Sequence, residues 1–391
     1  MARILHVITG LDVGGAENML YKLVSASSPA HEHSVVSLAP AGSVAARITA
    51  LGVEVHSLKL HAAAPNPLRV WKIRSLASRL SPDLIAGWMY HGNLMASFAG
   101  RAVPGAPVLW GIRSSLDDLS YFSWPTAAVI RLGARWSGRA AGIIYASHAA
   151  RAQHEARGYH AACGAVIPNG IDCREFVPDP GARAAIRSEL GVSGDAILIG
   201  MVARCHPAKN QAGFIRAAAL LARDHPGARF LLAGPGIAKD SRLRARVRDS
   251  GLTGRVLLLG ERHDMPRLHA ALDIACSASF REGFPNAIAE AMACAVPCVV
   301  TSVGDSALVV GETGVAVAPG DPQALAGAIH RLIAAGEPSR QELGARARRR
   351  IEDNFSLSAA VEQYENFYAR HLASSKTCSP GAGVDKPAIG A

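Results

Sequence analysis

Short, predominantly apolar and β-rich runs alternate with longer helical stretches from one end of the chain to the other, and that alternation leaves few folds open. Ile4–Ile8, Ser34–Leu38, Asp83–Trp88, Val108–Ile112, Gly142–Ala146 and Ala165–Ile167 read as the strands of a first half. Ile197–Val202, Ala228–Ala233, Val256–Gly260, Ile274–Ser277 and Pro297–Val300 read as those of a second. A strand without polar alternation is covered on both faces, and a helix between two such strands is the crossover that parallel pairing needs. The expected class is therefore α/β, with two doubly wound parallel sheets. A chain of 391 residues is also too long for one ordinary core. The break falls at Pro168-Asn169-Gly170-Ile171-Asp172, followed by Pro178, Pro180 and Gly181. This places a first domain at 1–175 and a second at 176–373. A last helix spans roughly 356–372, and a small, polar, Pro/Gly-rich tail at 374–391 is expected to be disordered.

Within this frame the segment Glu282-Gly283-Phe284-Pro285-Asn286, running on to Glu290-Ala291-Met292-Ala293-Cys294, carries the most chemistry. Pro285 suits a first helical position, where a missing N–H costs nothing. The amides of Phe284, Asn286 and Ala287 are then free to meet an anion at the helix mouth. Glu282 sits on the loop before the helix and Glu290 projects from its first or second turn. A nucleotide sugar matches such a site: amides for the diphosphate, one carboxylate for ribose hydroxyls and the other for sugar hydroxyls.

Other strand ends add to it. Arg204 and Lys209 leave the C-terminal end of the second sheet's first strand, where doubly wound folds bind ligands. Each could give a diphosphate a charge-assisted hydrogen bond worth about 1.5–3 kcal/mol. Gly10-Leu11-Asp12-Val13-Gly14-Gly15-Ala16-Glu17 makes a glycine loop at a strand-to-helix turn, though not with dinucleotide spacing. His91 and Arg113 follow first-half strands. For Arg113 a salt bridge to Asp117 or Asp118 is an equal alternative to ligand binding.

The Glu282/Glu290 segment resembles the E-x7-E signature of retaining glycosyltransferases of family 4, and the resemblance extends over nearly the whole chain. It implies the GT-B fold, in which two Rossmann-like domains face a central cleft and the last helix crosses back onto the first domain. Val166–Asp172 is similar to the family's interdomain segment. The resemblance also implies that Glu282, His91, Arg204 and Lys209 are catalytic. The implied donor-binding residues are Gly14, Gly15, Arg113, Gly234, Gly236, Gly283, Phe284, Pro285, Asn286 and Glu290. Gly260-Glu261-Arg262 matches a strand end facing the base. Asp264 and Asp273, which recur in the pattern, read as a helix cap and strand-edge structure.

The implied activity is a hexosyltransferase-type reaction in polysaccharide or cell-envelope biosynthesis. Sugar passes with retention from a nucleoside diphosphate donor, UDP favoured, to a glycan or lipid-linked saccharide. No Asp-x-Asp occurs, so no metal and no cofactor are expected. A nucleotide-sugar epimerase of similar fold and a non-catalytic nucleotide-sugar binder are the alternatives.

Composition narrows the partners. Aromatics are 5% of the chain, too few for a base-stacking surface, so nucleic acid is not an expected partner. The net charge is +10, and from Lys59 to Arg157 twelve Lys and Arg face four acids. A basic excess of this kind suits a phosphate-bearing partner: an anionic lipid surface, a lipid-diphosphate acceptor or, against the scarcity of aromatics, nucleic acid. Pro67–Leu80 carries Arg69, Lys72, Arg74 and Arg79 around a stripe of Leu68, Ile73, Leu76 and Leu80. Tyr121 to Arg139 adds a second basic and aromatic segment. Weak, salt-sensitive membrane contact through the first domain is expected. No run of 18 apolar residues occurs, and Arg3–Ile8 reads as a buried strand, not a signal peptide. The seven scattered cysteines have no zinc spacing and read as reduced core residues. The expected location is the cytoplasm, peripheral to the inner membrane's cytoplasmic face.

Overall fold

A computed structural model of the protein describes residues 1–12, 14–59 and 67–377. Val13 of the glycine loop lies outside them, as does 378–391, the greater part of the segment expected to be disordered. The last helix, Leu357–Thr377, carries the described chain a few residues beyond its expected end.

Two parallel sheets form the scaffold. The first contains β1 (Ala2–Ile8), β2 (His31–Ser37), β3 (Glu54–Ser57), β4 (Leu84–Trp88), β5 (Val108–Ile112), β6 (Gly142–Tyr145) and β7 (Gly164–Val166). They are ordered β3-β2-β1-β4-β5-β6-β7, and every pairing is parallel. The second contains β8 (Leu198–Val202), β9 (Arg229–Ala233), β10 (Val256–Leu258), β11 (Ile274–Ser277), β12 (Cys298–Thr301) and β13 (Gly314–Val317). Their order is β10-β9-β8-β11-β12-β13, again all parallel. In each sheet the winding direction reverses beside its first strand, β1 or β8. A crevice opens there at the strands' C-terminal ends, which is where the Gly10–Gly15 loop and Arg204 leave.

Two strands have no counterpart in the apolar-run reading, β3 and β13, and both are sheet edges. An edge strand has one neighbour and more solvent, so Glu54-Val55-His56-Ser57 needs no apolar run, whereas Gly314-Val315-Ala316-Val317 is a short apolar run that the reading passed over.

Each sheet has a core on both faces. Ile4, Leu20, Leu23, Val35 and Trp88 are packed together with Leu357, Val361, Tyr364, Phe367 and Tyr368 of the last helix, so that helix completes the first sheet's core. Burying each of these large side chains stabilises by about 1.5–3 kcal/mol. Ile171, in the segment joining the halves, bridges to Ser356 just before the same helix. The second sheet is tied to its preceding helix by Asp273, whose carboxylate accepts from Arg183 at 2.6 Å, from Arg187 at 3.0 Å and from the Leu198 N–H at 2.7 Å.

Among the described residues no helix is long and apolar enough to cross a membrane. The stripe read on Pro67–Leu80 divides: Ile73, Leu76 and Ala77 are buried, whereas Leu68 is 60% and Trp71 64% exposed.

Candidate functional site

A cavity of about 360 Å³ lies between the two crevices, with Gly14, Gly15 and Asn18 on the first-half side. Arg204, Lys209, Ser279, Glu282 and Glu290 line the other, together with the helix mouth at Phe284–Ala287. A Cβ on Gly15 would stand 3.5 Å from the Asn286 side chain, so the glycine loop approaches the mouth of that helix across the cavity.

Glu282 is held from two directions. Its Oε1 accepts from Lys209 Nζ at 2.6 Å and from Ser279 Oγ at 2.7 Å. Lys209 reaches it because Asn210 adopts the left-handed region, φ 54°, and anchors the turn by donating to the Ala278 carbonyl. Behind the loop Gly304, at φ +55°, lies so close that a Cβ would stand 2.2 Å from the Glu282 carbonyl. Asp305 N–H donates to the Gly283 carbonyl at 3.1 Å. Lys209 therefore spends part of its charge on Glu282, and the exposed Arg204 is the second cation of the cavity. His206 beside them has its pKa lowered, first by burial and then by Arg204, Lys209 and Arg281.

The helix starts one residue later than the sequence reading placed it. It spans Asn286–Ala293, with Pro285 at the cap and not at the first helical position. Asn286 N–H is not free, because it donates back to the Phe284 carbonyl at 3.0 Å. Two of the three expected amides, Phe284 and Ala287, are without a hydrogen-bond acceptor among the described residues. Glu290 sits on the second turn and lines the cavity, with His269 behind it at 3.6 Å.

Several candidates lie elsewhere. Arg113 meets neither the cavity nor Asp117 or Asp118. Its guanidinium donates to the Asn169 side chain, the Ile167 carbonyl and the Tyr364 hydroxyl, and it lies over the Trp88 ring. Asn169 then donates to Asn286 Oδ1 at 2.8 Å, so Arg113 supports the cavity through one intermediary. His91 is half-buried at the start of the helix Met89–Gly100, outside the cavity lining. Burial lowers its pKa, and Met89 before it takes a left-handed φ of 63°. Gly234 and Gly236 also stand back from the cavity. A Cβ on Gly234 would be 2.3 Å from the Ala203 carbonyl, and Cys205 N–H donates to the Pro235 carbonyl, so this turn packs under the loop that carries Arg204. Arg262 pairs with Glu189 and Asp264, each at 2.7 Å. Asp264 occupies the cap position but makes no capping hydrogen bond, whereas Asp273 is structural at a strand edge.

The sequence reading overlooked the groups that join the halves. Asp305 accepts from the N–H groups of His148 and Ala149 at 2.7 and 2.9 Å, closing the first turn of the helix His148–Glu155 across the cleft. Arg281, next to Glu282, donates to Asp117 at 2.8 Å and covers the Tyr121 ring at 4.1 Å. Gly304-Asp305 after β12 was a turn signal at a strand's C-terminal end and could have pointed to one of them. Arg281 carried no signal. Among the described residues, no group of three or more His, Cys, Asp or Glu side chains is placed to hold a metal ion.

Two family profiles match the chain: Glycosyltransferase Family 4 over residues 13–175 and Glycosyl transferases group 1 over residues 196–335. The Escherichia coli UDP-Gal:alpha-D-GlcNAc-diphosphoundecaprenol alpha-1,3-galactosyltransferase is 28% identical over 207 residues, covering 52% of this chain and 53% of that one. The D-inositol 3-phosphate glycosyltransferase of Kineococcus radiotolerans is 32% identical over 226 residues, 52% of this chain and 51% of its own. The chain thus spans about half the length of these curated relatives. The crystal structure of Anabaena HepE in complex with UDP and glucose superposes over 96% of this chain and 100% of its own, with a TM-score of 0.82 at 24% identity. That likeness gives the fold, GT-B, and the two profiles, one on each sheet, place the chain in glycosyltransferase family 4.

Proposed function

We propose that this protein transfers a hexose from a nucleoside diphosphate donor to a saccharide acceptor, with retention of the anomeric configuration and without a metal ion. One observation carries the reading. Arg204, Lys209 and the unpaired Phe284 and Ala287 amides converge on the same cavity as Glu282 and Glu290. The cations and amides suit the diphosphate, Glu290 the ribose hydroxyls and Glu282 the sugar hydroxyls. In the reaction the bond from the anomeric carbon to the diphosphate oxygen breaks. The acceptor oxygen bonds to that carbon from the same face, and its proton passes to the departing phosphate. Charge grows on the diphosphate as the bond breaks, so donors aimed there favour the transition state over the ground state.

The names of two compared proteins support a uridine donor: the E. coli relative is named for UDP-Gal, and HepE was crystallised with UDP and glucose. The diphosphoundecaprenol in the first name supports a lipid-linked acceptor in cell-envelope glycan synthesis. Contact with an anionic membrane through the first half fits such an acceptor.

The test is diphosphate release from a panel of UDP- and GDP-sugars, with and without lipid-linked and free saccharide acceptors. Acceptor-dependent release that persists in EDTA is expected. Strict dependence on a divalent ion would overturn the metal-free mechanism. Binding without release would make the protein a nucleotide-sugar binder, and interconversion of the donor sugar alone an epimerase.

A further inference from the structure

His269 stands one layer behind Glu290, on the short helix Met265–Ala270 that packs against Asn286–Ala293. Its residue is 1% exposed, and neither ring nitrogen has a hydrogen-bond partner among the described residues. Leaving a buried polar group unpaired forfeits its hydration with nothing in return, so a buried imidazole is expected to find a partner in a working state of the molecule. One flank of the ring faces Phe176, with centroids 6.1 Å apart, and a phenyl ring has no lone pair to offer. The carboxylate of Glu290 is the acceptor within reach: Nε2 to Oε2 is 3.6 Å. That is too long for a hydrogen bond, and a shift of roughly 0.6 Å would close it. Glu290 can make that shift, because its side chain remains 19% exposed toward the cavity and has no other ion-pair partner among the described residues.

We propose that His269 is a positioning residue for Glu290. When a nucleotide enters, one Glu290 oxygen accepts the Nε2–H of His269 while the other turns to the ribose hydroxyls. Nε2 of the buried imidazole gains a partner at the moment the ribose binds, which fixes one carboxylate rotamer and couples ribose recognition to the packing of the second sheet's helices. The tautomer required carries the proton on Nε2. This inference rests on Glu290 being the ribose ligand.

The experiment compares wild type, His269→Phe and His269→Gln in calorimetric binding of UDP and of 2′,3′-dideoxy-UDP. Phe keeps a ring in the space, and Gln can place an amide N–H near the position of Nε2. His269→Phe should bind UDP about tenfold more weakly, the loss expected for one hydrogen bond to a charged group. It should bind the dideoxy nucleotide as wild type does. His269→Gln should recover most of the UDP affinity, and in turnover the Phe variant should raise the donor KM with kcat little changed. Wild type that fails to distinguish the two nucleotides would remove the ribose role of Glu290 and this proposal with it. Wild type that distinguishes them, beside a His269→Phe variant that distinguishes them equally well, would overturn the role of His269 alone. So would an equal loss for both nucleotides, or no recovery with Gln.

Discussion

At the scale of single residues, the pairing of Lys209 with Glu282 is the feature that most constrains the proposed chemistry. A cation and a carboxylate 2.6 Å apart act as one unit. Removing either leaves its partner mis-aimed, so Lys209→Ala and Glu282→Ala should each lower turnover more than tenfold. The double variant should lose much less than the product of the two, and steady-state kinetics on the four proteins would show the coupling. Asp273 offers a matching test of stability. It neutralises Arg187, whose side chain is 5% exposed, and Arg183. Asp273→Ala strands a buried guanidinium and should cost about 3–5 kcal/mol, read as a fall in the urea midpoint. These residues also show what a sequence can and cannot disclose. Glu282, Glu290 and Lys209 were legible because strand ends and a helix start place them locally. Arg113 was not, because its partner Tyr364 is 251 positions away on a helix that returns from the far end of the chain. His269 was invisible for the same reason: a histidine's meaning depends on what packs against it, and no spacing announces that.

At the scale of elements, most strands were readable from apolar runs; of the two missed edge strands, Glu54–Ser57 carries no such run, and Gly314–Val317 carries only a short one led by a glycine. Two neighbouring strands of the first sheet carry a titratable pair. His6 on β1 and His33 on β2 share a hydrogen bond at 2.9 Å, and His6 Nδ1 accepts from the Trp88 indole at 3.1 Å. Burial holds the His33 pKa down at about 4, with neighbouring His31 adding to the effect, and burial takes His6 well below its ordinary value. An unfolded chain titrates these groups near 6.5, so between about pH 6.5 and 4 it binds protons that the native state refuses. Their contribution to stability is present above that window and falls as pH drops through it, approaching about 1.4 kcal/mol per unit for His33, with His6 adding in the same direction. Denaturation curves at pH 7, 6 and 5 should show the decline, and His33→Asn should remove one histidine's share of the slope. The helix Pro67–Leu80 and the helix Trp124–Trp136 make a second element-scale case, since both pack against Met89–Gly100 and neither contains an acid. Trp71 and Trp124 stand 64% and 79% exposed among Lys72, Arg74, Arg131 and Arg135. Flotation with anionic liposomes should show binding at low salt that is lost at high salt, and Trp71→Ala with Trp124→Ala should weaken it. Absence of low-salt binding would leave these faces without a membrane role.

At the scale of the whole molecule, the two sheets meet across a cleft through a handful of polar ties, and those ties lie beside the residues proposed to do the chemistry. Asp305 is 5% exposed and spans the cleft to two backbone N–H groups of the helix His148–Glu155. It also donates its own N–H to Gly283, the neighbour of Glu282. Arg281, on the other side of Glu282, holds Asp117 and Tyr121. Any change in the separation of the halves must therefore move the backbone on both sides of Glu282. A hydrogen bond to a charged group is worth about 1.5–3 kcal/mol, so loss of Asp305 and Arg281 together should shift a balance between closed and open forms that rests on few such contacts. Asp305→Ala with Arg281→Ala should raise the radius of gyration measured by small-angle scattering, and saturating nucleotide should restore part of the compaction. The same variant should lose turnover more than nucleotide affinity, because Arg204, Lys209 and Glu290 all belong to the second half and keep their places when the halves part. Scattering curves identical to wild type, with unchanged turnover, would mean that these ties do not set the width of the cleft.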